Sequence, residues 1–278
     1  MSTTTMERPV ARTAVDEPEP RLRFTGVLRS EWVKLRSVRS SAMTLLGAAV
    51  AMLSAGLVFA STRTSGGNGP GPRDLVDPTA ISLAGVNIAQ LIIGVLGVMI
   101  VSSEYSTGMI RSTLTGVPSR LPVLAAKVSV VIGTVFPAML LTALTAFLGG
   151  QAIMGGADLP TAALGDPGVL KAVIGSAAAL TGIAVIGVAL GSILRSTAGA
   201  LSTLFGLVFL APGLGQLLLP TSWRDDVLKF LPSNAGGSFT SVVPPADGLG
   251  TTAGVLVFAA WVVVPLIAAA VLLRGRDA

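Results

Sequence analysis

The sequence contains no cysteine and no histidine. Those two absences remove disulfides, cysteine nucleophiles, histidine general bases, histidine-ligated haem and the usual zinc sites together. Charge is scarce as well. Only 12% of residues are charged, where a soluble globular domain carries about 25%. No G-x-x-x-x-G-K-[ST] run occurs, so the 278-residue chain has no phosphate-binding loop of its own. These gaps exclude most enzyme classes: no catalytic residue, metal ligand or cofactor site is expected.

What the chain has is apolar length. Hydrophobic residues make up 51% of it, and the mean hydropathy is +0.78. A helix needs about 20 mainly apolar residues to cross a bilayer, because the hydrocarbon core is about 30 Å thick and each residue rises about 1.5 Å. Six runs meet that requirement, at about 41–60, 80–101, 128–149, 172–194, 197–219 and 252–273. The predicted fold is all-α, a polytopic membrane domain of six transmembrane helices over 41–273, with a short tail at 274–278. Residues 1–20 are rich in Ser, Thr, Pro and charge and lack an apolar h-region, which predicts a disordered tail rather than a cleaved signal peptide.

Between the tail and the first span, residues 21–40 hold six basic side chains and one acid, Glu31. Phe24, Val27, Leu28, Trp32, Leu35 and Val38 share one arc of a helix, while Lys34 and Arg36 lie mostly outside it. The pattern predicts an amphipathic helix in the membrane interface with Trp32 at headgroup depth. Glu31 falls inside the apolar arc, where it either pairs with Lys34 one turn on or meets a partner on another subunit. Counting Lys and Arg outside the spans gives 14 on the side of both termini and 5 on the other. The positive-inside bias therefore makes both termini cytoplasmic, and it accounts for the pI near 10.4 without nucleic-acid binding.

The spans as drawn contain no Asp, Glu, Lys or Arg, which argues against a proton-coupled antiporter. Their most polar pair is Asn87 and Gln90 in span two, read either as interhelical hydrogen bonding or as a patch on a translocation pathway. Gly94 and Gly97 in span two, with Gly182, Gly187 and Gly191 in span four, provide small-residue surfaces for close helix packing. Pro137 and Pro212 are expected to bend or interrupt spans three and five, and Pro212 could mark a gate element or only a kink. The first loop, 61–79, is Gly- and Pro-rich and expected to be flexible. In the longer loop 220–251, Ser222 and Asp225 resemble a capping box ahead of Trp223, Val227, Leu228 and Leu231, predicting a short amphipathic helix on the outer surface.

The loop between spans two and three is the most informative stretch. Residues 102–127, SSEYSTGMIRSTLTGVPSRLPVLAAK, are far longer than a connector needs to be. Ile110, Leu114 and Val117 repeat at helical spacing between Gly108 and Pro118, which predicts a short helix presented as a contact surface. Glu104, Gly108, Leu114, Pro118, Arg120 and Lys127 together resemble the intracellular loop of type 2 ABC exporter permeases. That family's loop has a glutamate ending span two, a glycine four later, a leucine, a Pro-x-Arg turn and a lysine opening span three. The segment SEWVKLRSVRSS at 30–41 resembles the stretch before the first span of bacterial members. The resemblance covers about residues 24–273; Met109 departs from it where members often carry threonine.

The resemblance implies a permease subunit of an ATP-driven exporter in a bacterial plasma membrane. It implies pairing as a homodimer or pseudo-dimer, docked on two copies of a separate ATP-binding subunit. Glu104 and Arg111 would then cap and orient a cytoplasmic coupling helix, Leu114 would enter the ATPase, and Arg120 and Lys127 would hold the loop at the headgroups. The cargo implied by the apolar spans is hydrophobic or amphipathic. Two other classes stay open on the sequence: a passive channel or secondary carrier, and a non-transporting membrane scaffold or sensor.

Overall fold

The computed structural model describes residues 24–64, 77–106, 120–245 and 247–275. Among these residues every regular element is a helix: α1 Phe24–Ser37, α2 Arg39–Thr64, α3 Pro78–Ser82, α4 Val86–Ser106, α5 Arg120–Gly155, α6 Val169–Leu194, α7 Thr197–Phe205, a π-turn Gly206–Leu210, α8 Ala211–Leu218, α9 Arg224–Leu228, α10 Pro232–Thr240 and α11 Thr251–Gly275. Six of the helical stretches are long and apolar enough to cross a membrane.

The bundle is built around α6. Its most apolar window is 78% buried, against 17% for α2 and 11% for α11, as expected of a helix that is apolar on all sides. It packs on α4, α5, α7, α10 and α11. Small residues make the tightest of these contacts. A Cβ on Gly187 would sit 2.9 Å from both the Gly94 carbonyl oxygen and the Val98 nitrogen, and one on Gly97 would run into the Ala184 carbonyl. The α4 and α6 backbones therefore touch where the sequence offers no side chain to hold them apart.

The prolines do different things. Pro137 lies inside the 36-residue α5 without interrupting it. Pro212 follows the π-turn, and the stretch Thr197–Leu218 stays continuous. Lacking an N–H, Pro212 cannot bond the Val208 carbonyl one turn back, and the Ser233 hydroxyl donates to that carbonyl instead at 3.0 Å. A neighbouring hydroxyl thus satisfies the backbone acceptor that proline orphans.

Near the start of span two the chain does not run as one helix. Asp77 caps α3 by accepting from the Thr79 N–H at 2.8 Å, with Pro78 as its first residue. Turn residues then separate α3 from α4 at Val86. Gln151 of α5 clasps this corner: its amide donates to the Pro78 carbonyl and the Ser82 hydroxyl, and its carbonyl accepts from the Ala162 N–H. The predicted capping box in 220–251 does not form; α9 begins after Trp223 with no side-chain cap and spans five residues. Leu228 is buried there, while Trp223 and Val227 are exposed. The better-buried piece of that loop is α10, absent from the sequence reading because Pro232–Thr240 is small, polar and only nine residues long. It seats Phe239 edge-on to Phe258 of α11, with ring centroids 5.4 Å apart.

The α4–α6 contact yields a direct test. Gly187→Ala should cost about 1–3 kcal/mol by overpacking. Gly133→Ala, where an added Cβ meets nothing within 4 Å, should be neutral or should stabilise by up to about 1 kcal/mol through helix propensity. Thermal unfolding of the detergent-solubilised variants reads both; equal midpoints for the two would refute the contact.

Candidate functional site

Three helices converge on a buried group of charges at the end of the bundle where α1 lies. On α1, Val27 and Glu31 fall one turn apart and both are buried. Val27 and Leu28 pack against Val123 and Ala126 in the first turns of α5. That apolar seat aims Glu31 inward. Glu104 lies near the end of α4, and Lys127 lies two turns inside α5.

The Lys127 ammonium bridges the two acids. It donates to Glu31 Oε2 at 2.7 Å and to Glu104 Oε1 at 2.6 Å. Lys34 closes the group from α1, at 2.8 Å from Glu31 Oε1 and 3.2 Å from Glu104 Oε1. Glu31, Glu104 and Lys127 are each no more than 5% exposed. Two acids and two bases cancel, so the group carries no net charge. Burial by itself would lower the Lys34 pKa, but the hydrogen bond it donates to Glu31 and the charges of Glu104 and Glu31 outweigh it and raise the pKa above its usual 10.5. Lys34 is therefore charged at neutral pH, and its stabilising contribution is complete below about 10.5 and lost only as pH rises beyond that.

One acceptor is left over: Glu104 Oε2 is buried with no hydrogen-bond partner. Beside it lies a cavity of about 320 Å³ between α1, α2, α4 and α5, walled by charged, hydroxyl and apolar side chains. Close by, the Arg195 guanidinium lies over the Tyr105 ring, 5.5 Å from its centroid. This ties the last turn of α4 to the left-handed turn that ends α6.

The structure thus gathers Glu31, Lys34, Glu104 and Lys127 into one site. Trp32 is 45% exposed and Arg36 also faces outward on α1. Arg120 opens α5. Gly108, Arg111, Leu114 and Pro118, and the short helix expected around them, lie outside the described residues. Asn87, Gln90 and Pro212 do not join the site. Asn87 is exposed in the first turn of α4, its amide directed to the Ala84 carbonyl of its own turn at 3.5 Å.

Of the two alternatives for Glu31, the pairing with Lys34 one turn on is the one observed. Its second partner is Lys127 of the same chain, 96 residues away. The runs drawn from hydropathy leave the spans uncharged, whereas the observed helices carry Glu104 and Lys127 within α4 and α5. A signal was present. A lone acid in an apolar arc must find a base, and Lys127 borders the third apolar run.

The family model described as ABC-2 family transporter protein matches residues 27–213, well over half of the chain. No curated protein and no solved structure matches it. The matched stretch begins at Val27, which seats α1, and takes in all four charged residues of the site.

A double-mutant cycle measures how tightly the charges are coupled. Lys127→Gln leaves two buried carboxylates with Lys34 alone and should destabilise the protein by about 3–5 kcal/mol. The double variant Lys127→Gln/Glu104→Gln should cost less than the two single changes added together. Unfolding midpoints in one detergent provide the comparison, and simple additivity would show the pairs to be independent.

Proposed function

The chain belongs to the ABC-2 transporter family, as a multi-pass permease component of an ABC transporter, and from that premise we propose that it is the membrane subunit of an ATP-driven exporter. A permease of this kind is not itself the ATPase and partners an ABC ATP-binding subunit. In the proposed complex two permease chains, identical or paired with a close relative, dock on two ATP-binding subunits in a bacterial plasma membrane. Both termini are cytoplasmic, and the cargo is hydrophobic or amphipathic.

The observation that carries the reading is the position of Lys127. It binds Glu104 and Glu31 at once, so the end of α4, the start of α5 and the N-terminal helix α1 are clamped together on both flanks of 107–119. A push on that segment then reaches three helices as one body, because separating any of them would strand a buried charge. In this mechanism Gly108, Arg111, Leu114, Pro118 and Arg120 form the ATPase-facing surface. Leu114 is its apolar contact, and Glu104 and Lys127 pass the displacement into the bundle. Trp32 and Arg36, on the outward side of α1, hold that helix at the headgroups. Clamping of this sort suits a driven machine better than a passive channel.

Two experiments test the proposal. Leu114→Asp puts a carboxylate where an apolar contact is required, at a cost of several kcal/mol. Co-purification with the cognate ATP-binding subunit should weaken by about a hundredfold or more, while membrane insertion and permease pairing persist. The control Gly67→Asp should bind normally, and undiminished binding by Leu114→Asp would remove that residue from the interface. Topology is read separately, since the chain has no native cysteine. A cysteine at position 67 should react with an impermeant maleimide on intact cells and one at position 119 should not; the opposite pattern would invert the orientation.

A further inference from the structure

The charged group is neutral in sum but not in what it shows to a ligand. The side chains of Glu31 and Glu104 are 4% exposed and that of Lys127 is 5%, whereas Lys34 is 32% exposed. The face turned outward is an ammonium. Around it the charge has one sign: Arg29, Arg36 and Arg39 are all exposed, and the only acid in residues 24–64 is the buried Glu31. Together with Lys127 and Glu104, five bases face two acids, a net +3. Trp32, Val33 and Val38 are exposed between the bases, so the patch is cationic and apolar at once.

The same elbow opens into the cavity of about 320 Å³. Lys34, Ser37, Ser40 and Ser41 line it on the side of α1 and α2, and Arg36 and Arg39 alternate with them along the chain. Across from them stand Leu96, Met99, Ile100 and Val131, which belong to the membrane-spanning stretches of α4 and α5. A ligand that satisfies both sides is anionic at one end and apolar at the other. Size narrows the choice. One turn of a helix with its side chains, about 10 Å across and 5.4 Å tall, occupies about 420 Å³, more than the cavity holds. A protein segment in helical form does not fit, and a single lipid chain does.

We infer that the α1–α2 elbow is a binding site for an anionic phospholipid. Lys34, Arg36 and Arg39, with the Ser40 and Ser41 hydroxyls, receive the head, and one acyl chain enters the cavity along Leu96, Met99, Ile100 and Val131. The carboxylates of Glu31 and Glu104 lie below the surface, each against two ammonium groups, so they subtract little from the field of the exposed bases. Anionic lipids belong to the cytoplasmic leaflet, the side proposed for α1. The inference does not rest on coupling to an ATPase.

The test uses the full chain in detergent with no ATP-binding subunit present, read by native mass spectrometry. The probes are palmitoyl-oleoyl-phosphatidylglycerol and the matching phosphatidylcholine, which share chains and phosphate and differ in net charge. The first phosphatidylglycerol should bind at least about tenfold more tightly, and the preference should shrink as salt screens the exposed bases. Arg36→Gln/Arg39→Gln leaves the ion pairs intact and should weaken that binding about twentyfold, since each base near an anionic surface contributes about fivefold. Ser41→Trp, filling the cavity from α2, should weaken it about tenfold with an unchanged unfolding midpoint. Arg274→Gln, at the exposed base of α11, should bind as wild type, and glycerol 3-phosphate should not displace the lipid. Displacement by glycerol 3-phosphate would reduce the site to one for free phosphate. Equal affinity for the two lipids would mean that a second copy or the acids of residues 1–23 cover the patch. Either result, or wild-type binding by the double arginine variant, would overturn the assignment.

Discussion

Removing an ammonium and two carboxylates from water costs several kcal/mol per ion, and the cost is recovered only when geometry and pairing are good. Lys127 meets that condition with two short hydrogen bonds to acids on two other helices. Much of the organisation at this end of the bundle depends on it. The amphipathic helix α1 is attached to the core by a buried acid as well as by Val27 and Leu28. The ends of α4 and α5 are fixed relative to each other although the segment joining them carries the proposed partner surface. Ion pairs are a stiff but reversible joint, which suits a place where force must enter.

Deeper in the bundle the constraint is different. Lipid chains are as apolar as leucine, so hydrophobic burial gives helices little reason to associate there, and close backbone approach with local hydrogen bonding takes over. The α4–α6 contact through Gly94, Gly97, Gly187 and Gly191 is of this kind. So is the Ser233 hydroxyl on the carbonyl that Pro212 leaves without a donor. Gln151, holding α3 and the 162 backbone together, plays the same part at the opposite end. The molecule therefore combines a charged clamp at one end with neutral, small-residue packing through the rest.

Several of these features were legible in the chain. The runs of apolar residues forecast the helical fold and its six long helices, since length and hydropathy are properties of a single run. The glycine spacing on spans two and four marked the surfaces that meet. Glu31 stood out as misplaced in an apolar arc. Its pairing with Lys34 one turn on was legible as well; what could not be read was its second partner, because nothing in the linear order brings residue 127 to residue 31. Hydropathy runs also stop at the first charge, which trimmed α4 and α5 short of Glu104 and Lys127 and made the spans look uncharged. The α10 helix escaped for the converse reason, because PSNAGGSFT has almost no local helical signal and is held by packing against α6 and α11.

By itself, the sequence determined the class of solvent, the helical architecture, and the lack of a phosphate-binding loop. These follow from local composition, which each segment carries wherever it lies in the fold. Tertiary structure alone decided that Glu31, Lys34, Glu104 and Lys127 form one neutral group, that one oxygen of Glu104 is left bare beside a cavity, and that Ser233 serves Pro212. Each is a relation between distant segments, and its energy exists only once packing has excluded water and brought the partners within about 3 Å.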